Sequence, residues 1–189
     1  MEILEALLSF KENEANQLFN RAFSLFSIDK VTIDLVKMMM LQMERLLSEK
    51  QVTAARRQYA ITFLRLKVGR IFQDFSIHGT LPKIVAFSGQ NEELDLLIFS
   101  LFLRRKGFEV IYLGAGLSVK DVEAVLHEVD SRVVVTFCQE NSSLHTLGRL
   151  KKRFTKLVIG VSGPAVSAGA ETEMRQRSSA KQRKSGSSG

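Results

Sequence analysis

The sequence contains no tryptophan, a single cysteine, two prolines and three histidines among its 189 residues. With Cys138 alone, the chain cannot form an internal disulfide, which is typical of proteins from reducing compartments. The apolar run from Leu94 to Leu103 is too short and too interrupted to span a bilayer. Glu2 and Glu5 do not fit the basic start of a secretory signal. We therefore expect a cytoplasmic protein without a membrane-spanning segment.

The net charge is +7, and part of it lies in the C-terminal tail. In this tail, five basic residues outnumber the acidic residues Glu171 and Glu173. The five are Arg175, Arg177, Lys181, Arg183 and Lys184. A basic balance raises the hypothesis of nucleic-acid binding. However, no aromatic residues alternate with these charges, as they would in a stacking platform for bases. A solvated basic surface is the better interpretation, and we expect no direct nucleic-acid binding by this chain.

The first 78 residues carry helical periodicity and no strand pattern. Apolar residues recur three or four positions apart in four stripes, which is typical of helices that bury one face. Representative positions of the stripes are Leu4 and Leu7, Phe19 and Phe26, Met39 and Met43, and Phe63 and Phe75. Because the connections between the stripes are short, the pattern predicts a four-helix bundle over residues 1–78.

The period changes after His78–Pro82, where glycine and proline stop a helix. Short β-branched runs then alternate with helical patterns, which predicts right-handed βαβ units over residues 83–166. The four runs are Ile84–Phe87, Val110–Leu113, Val133–Val135 and Leu157–Ile159. The tail 167–189 is polar and basic, and its composition predicts disorder. The fold class is therefore α/β, a helical bundle followed by a flavodoxin-like or Rossmann-like parallel sheet of about four strands, with no fifth strand visible.

Few residues of the second half are suited to catalysis. His78, His127 and His145 are not spaced as metal ligands, either with one another or with Cys138. No partner is identifiable that would lower the pKa of the Cys138 thiol. Gly114-Ala115-Gly116 lacks the third glycine of a dinucleotide fingerprint and follows the second strand instead of the first. We therefore predict no catalytic residue, no metal site and no enzymatic activity.

The segment Leu94–Gly114 resembles a known family. An arginine-rich helix end and a glycine, Arg104-Arg105-Lys106-Gly107, lead into a strand that ends in Tyr112-Leu113-Gly114. Together with the helical first half, this segment is similar to the cobalamin-binding regulators of the MerR type and to the corrinoid modules of methyltransferases. The resemblance covers about residues 1–166.

The chain departs from the family at the positions that hold cobalt. Aligned on Arg104-Arg105-Lys106-Gly107, Glu92 stands where the family has the histidine that ligates cobalt, and Asp95 stands at the following glycine. A carboxylate is a poor substitute for imidazole on cobalt. Leu47 lies near the position of the family's tryptophan, and Arg57-Gln58 lies near its Glu-His pair.

The resemblance implies a cofactor site at the ends of the strands. The residues expected to line it are Gly89, Glu92, Leu113, Gly114, Thr136, Ser162 and Gly163. It implies a regulatory or sensory module in transcription regulation that binds a protein partner or another copy of itself. Cobalamin is the implied cofactor, held without a protein ligand to cobalt. The alternatives are a corrinoid carrier of a methyltransferase system, or a variant that holds haem or another tetrapyrrole through His145 or Cys138.

Overall fold

The computed structural model describes residues 2–75, 81–89, 93–137, 147–148 and 150–162. Several residues singled out from the sequence lie outside this described part. They are His78, Glu92, Cys138, His145, Gly163 and the tail 167–189.

The first half of the chain is helical, as its periodicity predicts. The helices are α1 (Glu2–Leu8), α2 (Glu12–Leu25), α3 (Val36–Ser48) and α4 (Ala54–Asp74). A π-helical segment, Lys30–Leu35, leads directly into α3. Thr53 caps the N-terminus of α4, because its hydroxyl accepts a hydrogen bond from the Arg56 amide at 3.3 Å.

The second half alternates strands and helices. In chain order the elements are β1 (Lys83–Ser88), α5 (Glu93–Arg105), β2 (Glu109–Ala115), α6 (Val119–Glu128), β3 (Val133–Phe137) and β4 (Val158–Ser162). Residues 147, 148 and 150–153, ahead of β4, are also helical. All strand pairs are parallel, and the strand order is β2-β1-β3-β4. This is the flavodoxin-like order, so the predicted α/β fold with a four-stranded parallel sheet is confirmed.

The chain divides into two compact units. The helical unit comprises Met1–Ile77 together with Leu97–Gly107, and the sheet unit comprises His78–Leu96 together with Phe108–Gly189. Helix α5 therefore contributes to both, with its residues from Leu97 onward grouped with the N-terminal helices. None of the helices in the described ranges combines the length and apolar character that a bilayer span requires.

Each unit has its own buried apolar side chains. In the helical unit, the largest side chains that are almost fully buried include Leu7, Phe19, Met39, Met43 and Leu64. In the sheet unit, one buried cluster joins the strands to α6 and the helical residues before β4. It consists of Val85, Phe87, Val122, Leu126, Val134, Leu147, Leu150 and Leu157.

Two arginines anchor the end of α5 within the helical unit. Arg104 Nη1 donates a hydrogen bond of 2.8 Å to the carbonyl oxygen of Phe72, in the last turn of α4. The same guanidinium carbon lies 3.7 Å from the centre of the Phe72 ring. Arg105 forms an ion pair with Asp29. A cation at a helix C-terminus is favoured by the helix dipole, whereas burial lowers the pKa of Arg104.

Ser100, on α5, is fully buried, and its hydroxyl has no hydrogen-bond partner among the described residues. A buried hydroxyl without a partner lowers stability, because it loses its hydrogen bonds to water. We expect Ser100→Ala to raise the free energy of unfolding by about 1 kcal/mol, with alanine's helix propensity contributing in the same direction. Urea denaturation followed by circular dichroism measures this change.

The matched control is Ser24→Ala. Ser24 also lies in a helix, but it is exposed, and its hydroxyl donates to the Arg21 carbonyl at 2.8 Å. We expect its substitution to change the free energy of unfolding by less than about 0.5 kcal/mol. A loss of stability in Ser100→Ala larger than in Ser24→Ala would mean that the Ser100 hydroxyl has a partner in solution.

Candidate functional site

The carboxyl ends of the strands lie side by side at one edge of the sheet, here called the carboxyl edge. Phe87 of β1 pairs with Gly114 of β2 on one side and with Thr136 of β3 on the other. Thr136 pairs in turn with Val161 of β4. In the sheet, β1 lies between β2 and β3. The connection after β1 therefore runs to one side of β1, and the connection after β2 runs back to the other side. This reversal makes the carboxyl edge a topological switch point. In open parallel sheets, ligands bind in the crevice at such a point.

A bulge in β2 shapes the backbone at this edge. Tyr112 pairs with Ala86 and Gly114 pairs with Phe87, so Leu113 is an extra residue between two ladder positions. The Leu113 side chain packs against the buried cluster of the sheet unit. Bulges of this kind re-aim side chains and are common next to binding sites.

Two glycines follow the bulge with left-handed backbone conformations. Gly114 has φ +85° and Gly116 has φ +81°, values that residues with a side chain rarely adopt. A Cβ atom placed on either glycine would meet no atom of the described residues within 4 Å. Of the two glycines, Gly116 is exposed and Gly114 is buried, so the backbone just after β2 is open to close approach by a ligand at Gly116.

Hydrogen bonds tie the end of β1 to its neighbours. The fully buried Ser88 hydroxyl donates to the Phe137 carbonyl oxygen at 3.4 Å. The Leu117 amide donates to the Ser88 carbonyl oxygen at 3.3 Å, which holds the loop after β2 across the end of β1. These contacts give the carboxyl edge a defined backbone shape before any ligand binds.

The first turns of α5 and α6 also reach this edge, and both carry carboxylates. The Tyr112 hydroxyl donates to the carbonyl oxygen of Glu93 at 3.2 Å, which places the start of α5 beside β2. Glu93 and Asp95 lie in the first turn of α5. At the start of α6, Ser118 and Asp121 form a capping box, in which the Ser118 amide donates a hydrogen bond of 3.2 Å to Asp121 Oδ2. The hydrogen bonds from Ser118 hold the pKa of Asp121 below its usual value.

The sign of that pKa shift defines a pH dependence. Because the pKa of Asp121 is lower in the folded chain than in the unfolded chain, the ionised carboxylate stabilises the fold above the unfolded pKa. The stabilisation disappears as the pH falls through the folded pKa. The capping box therefore keeps its charge throughout the neutral range.

No family model matches this chain, and no curated protein matches its sequence. Among the solved structures that are similar to it are two cobalamin proteins. A cobalamin-binding protein from Desulfitobacterium hafniense DCB-2 has a TM-score of 0.40 at 18% identity, over 86% of this chain and 82% of that one. The methanol:cobalamin methyltransferase complex MtaBC from Methanosarcina barkeri has a TM-score of 0.39 at 13% identity, over 86% of this chain and 66% of that one. With TM-scores this low, the similarity does not establish a shared ligand.

Four of the seven residues expected to line a cofactor belong fully to the described carboxyl edge. Gly89 is exposed, Gly114 and Thr136 are buried, and Leu113 is half-buried with its side chain in the core. Ser162 ends β4, where its Cα pairs with that of Phe137. Glu92 and Gly163 lie outside the described residues. The cofactor-lining role of all seven residues remains a prediction.

The only histidine in the described ranges lies elsewhere. His127 is in the last turn of α6, and its ring centre is 4.8 Å from that of Phe154. Because α6 begins at the carboxyl edge, its last turn lies toward the opposite end of the strands. Across the described part of the chain, no three side chains among histidine, cysteine, aspartate and glutamate are grouped as metal ligands would be.

Sequence reasoning missed three features of the site. The pattern Ser118-x-x-Asp121 is a capping-box signal, which could have been found from the sequence. The bulge at Leu113 leaves no such signal, because it depends on how β2 aligns with β1. The Ser88 hydroxyl bond to Phe137 likewise depends on strand pairing.

Proposed function

We propose that this chain is a binding module on a cobalamin-binding scaffold, and that it is not an enzyme. Its carboxyl edge would receive a corrinoid without a protein ligand to cobalt. The observation that carries the proposal is the strand order β2-β1-β3-β4, which brings Gly89, Gly114 and Thr136 to one switch point. When bound, a corrinoid would supply cobalt-centred chemistry and a strong visible absorbance.

The residues of this edge support contact with the periphery of a corrinoid but not ligation of cobalt. A side chain added at Gly114 or Gly116 would meet no described atom within 4 Å, which leaves room beside the end of β2. Thr136 and Ser88 place buried hydroxyl groups at the ends of the two central strands, and that of Ser88 already donates to the Phe137 carbonyl oxygen. No imidazole lies at this edge among the described residues, so in our proposal the chain contacts the periphery of the macrocycle and leaves cobalt to solvent or to the ligand's own base.

We further propose that the module acts through protein contacts in transcription regulation. Several large apolar side chains of the helical unit are exposed, which supports contact with a partner or with a second copy. They are Phe10, Leu25, Phe26, Met38, Leu41 and Leu66. Light scattering coupled to gel filtration, with and without corrinoid, tests whether the ligand changes the assembly. An unchanged mass with every ligand would contradict ligand-dependent self-association.

The decisive experiment is a ligand titration followed by gel filtration. The purified 189-residue chain is mixed in turn with hydroxocobalamin, adenosylcobalamin and haem, and the visible spectrum of the protein peak is recorded. We expect a corrinoid to co-elute without the spectral change that histidine ligation produces. Retention of haem alone would favour the tetrapyrrole variant, and a colourless peak with all three ligands would refute the proposal.

Glu92→His provides a sharper arm of the same experiment. If Glu92 stands where the family has its cobalt ligand, an imidazole there should strengthen corrinoid retention and change the spectrum toward histidine ligation. The control is Glu128→His, which makes the same change in the last turn of α6, away from the carboxyl edge. Equal retention by both variants and the original chain would contradict the assigned position of Glu92.

A further inference from the structure

Helix α4 carries a second apolar stripe besides the one that it buries. The residues buried in the helical unit are Ala60, Leu64, Val68 and Phe72. Tyr59, Phe63 and Leu66, here called the outer stripe, recur at intervals of four and three residues on another side of the helix. Tyr59 and Phe63 are half-buried, and Leu66 is 67% exposed. Apolar residues at these intervals are typical of a helix that pairs with another helix.

Phe10 extends the outer stripe beyond α4. Its ring centre lies 5.0 Å from that of Tyr59, in an edge-on arrangement. Phe10 has φ +60°, a left-handed conformation that favours glycine at the end of a helix, and its side chain is 53% exposed. Backbone strain of this kind is common at functional sites. The strained and exposed ring beside Tyr59 is therefore a second observation that this surface has a partner.

The charged residues of α4 are almost all of one sign. Between its first residue and Gln73 the helix has no acidic residue and five basic ones, which are Arg56, Arg57, Arg65, Lys67 and Arg70. Some of these charges are used within the bundle, since Arg57 pairs with Glu44 and Lys67 Nζ donates to Asn16 Oδ1 at 2.9 Å. The outer side of α4 therefore has a positive charge that the helix itself does not balance.

Two of these basic residues bound the outer stripe. Arg56 lies three residues before Tyr59, and Arg70 lies four residues after Leu66, so each continues the spacing of the stripe. Both side chains are exposed, and neither forms an ion pair within the described part of the helical unit. The surface is thus apolar in the middle and positively charged at both ends.

This charge pattern distinguishes between possible occupants. Pairing α4 with the α4 of a second copy would bring arginine against arginine in either orientation, and like charges oppose association. The segment 171–189 of the chain has the same excess of basic residues, so it would also be repelled. Insertion into a membrane surface requires a broad exposed apolar face, whereas Tyr59 and Phe63 are half-buried. A helix with acidic residues at both ends of its apolar stripe is complementary to this surface.

We infer that the outer stripe receives an amphipathic helix of a protein partner, with acidic residues flanking the partner's apolar stripe. The inference rests on the protein contacts of the proposed function and names the chemistry of the partner. Arg56 and Arg70 are about 21 Å apart along α4, at the helical rise of 1.5 Å per residue. The partner's carboxylates therefore lie about four helical turns apart, and its apolar side chains pack around Leu66.

Fluorescence anisotropy of the 189-residue chain with two labelled helical peptides tests the inference. Both peptides have leucine at the a and d positions of about three heptads, and they carry either glutamates or lysines at both ends. We expect the glutamate peptide to bind about tenfold more tightly, with a smaller ratio at high salt. Arg56→Glu/Arg70→Glu should reverse this preference. The control is Arg21→Glu/Lys37→Glu, the same change of charge at exposed positions of α2 and α3, which should keep the preference for glutamate.

A second pair of variants tests the apolar contact. Leu66→Ala should weaken binding of the glutamate peptide by about fivefold, because it removes the most exposed side chain of the outer stripe. The matched control is Leu25→Ala, since Leu25 is 65% exposed at the end of α2 and should leave the affinity unchanged. Urea denaturation checks that both variants remain folded.

The possible results separate this inference from the proposed function. Equal affinities for the two peptides, or an unreversed preference in Arg56→Glu/Arg70→Glu, would overturn the inference. Binding to phosphatidylglycerol vesicles or self-association in light scattering would also overturn it, if either is lost in Leu66→Ala. Corrinoid retention is measured separately. A chain that retains corrinoid without discriminating between the peptides refutes the inference alone, and a colourless chain that discriminates between them supports the inference and refutes corrinoid binding.

Discussion

Phe19→Ala should lower the free energy of unfolding by about 3–5 kcal/mol, the largest stability effect that we expect from a single substitution in the helical unit. The Phe19 side chain is 1% exposed. Its ring centre lies 6.1 Å from that of Phe23 and 6.0 Å from that of Phe63. Truncation removes this apolar burial, leaves a cavity between α2 and α4, and also removes the ring beneath the Lys67 ammonium.

Urea denaturation followed by circular dichroism measures this loss. The control is Phe26→Ala, just after the last residue of α2. Because the Phe26 side chain is 51% exposed, this substitution should lower the free energy of unfolding by less than about 1 kcal/mol. The loss of stability in Phe19→Leu should lie between the losses in the two alanine variants, because leucine keeps most of the buried volume. Equal costs for Phe19→Ala and Phe26→Ala would show that the α2 face has been assigned wrongly.

Gly114→Val should weaken corrinoid retention by about tenfold or more, which corresponds to about 1.4 kcal/mol of binding free energy. The valine side chain would occupy the space beside the β2 bulge, where we expect the ligand to approach the backbone. The φ of +85° also strains a β-branched residue, so the variant should lose about 1–2 kcal/mol of stability. The gel-filtration titration measures retention, and urea denaturation measures stability.

Gly107→Val is the matched control for the backbone strain. Gly107 has φ +92° and lies just before the start of β2, at the opposite end of the strand from Gly114. Both variants should therefore lose similar stability, whereas retention should fall only in Gly114→Val. Similar corrinoid retention by the two variants would contradict the hypothesis that the carboxyl end of β2 belongs to the binding site.

Much of the fold follows from the apolar pattern. The β-branched runs ending at Phe87, Leu113, Val135 and Ile159 all fall within strands or overlap them. The four helical stripes likewise correspond to α1–α4, because a helix buries one face at a fixed spacing. The π-helical segment Lys30–Leu35 was not predictable, since its apolar spacing barely differs from that of an α-helix.

The division of α5 between the units had a signal in the sequence. Leu94, Leu96, Leu97, Ile98 and Leu101 are all buried, so α5 is apolar on more than one side. A helix covered on one side only would carry a narrower stripe. By contrast, the left-handed conformation of Gly114 leaves no signal in the sequence beyond the glycine itself. Its position at the carboxyl edge depends on the pairing of β2 with Phe87 of β1.

The location of the site was predictable from the sequence, whereas the arrangement of charges around it was not. Parallel strands followed by glycine, serine or threonine indicated the edge, and the structure brings Gly114 and Thr136 to the same level beside Phe87. The paired charges at the helix ends depend on three-dimensional contacts such as that from Tyr112 to Glu93.

The assignment of Leu97–Gly107 to the helical unit has a consequence for how the chain can be divided. A fragment that ends before β1 would lack the guanidinium of Arg104 at the last turn of α4 and the partner of Asp29. A fragment that begins at β1 would expose the α5 side chains Leu97, Ile98 and Leu101, which are buried in the intact chain. A cut at the segment before β1 therefore separates α5 from the helices with which it is grouped, so we expect neither fragment to keep the stability of the intact chain.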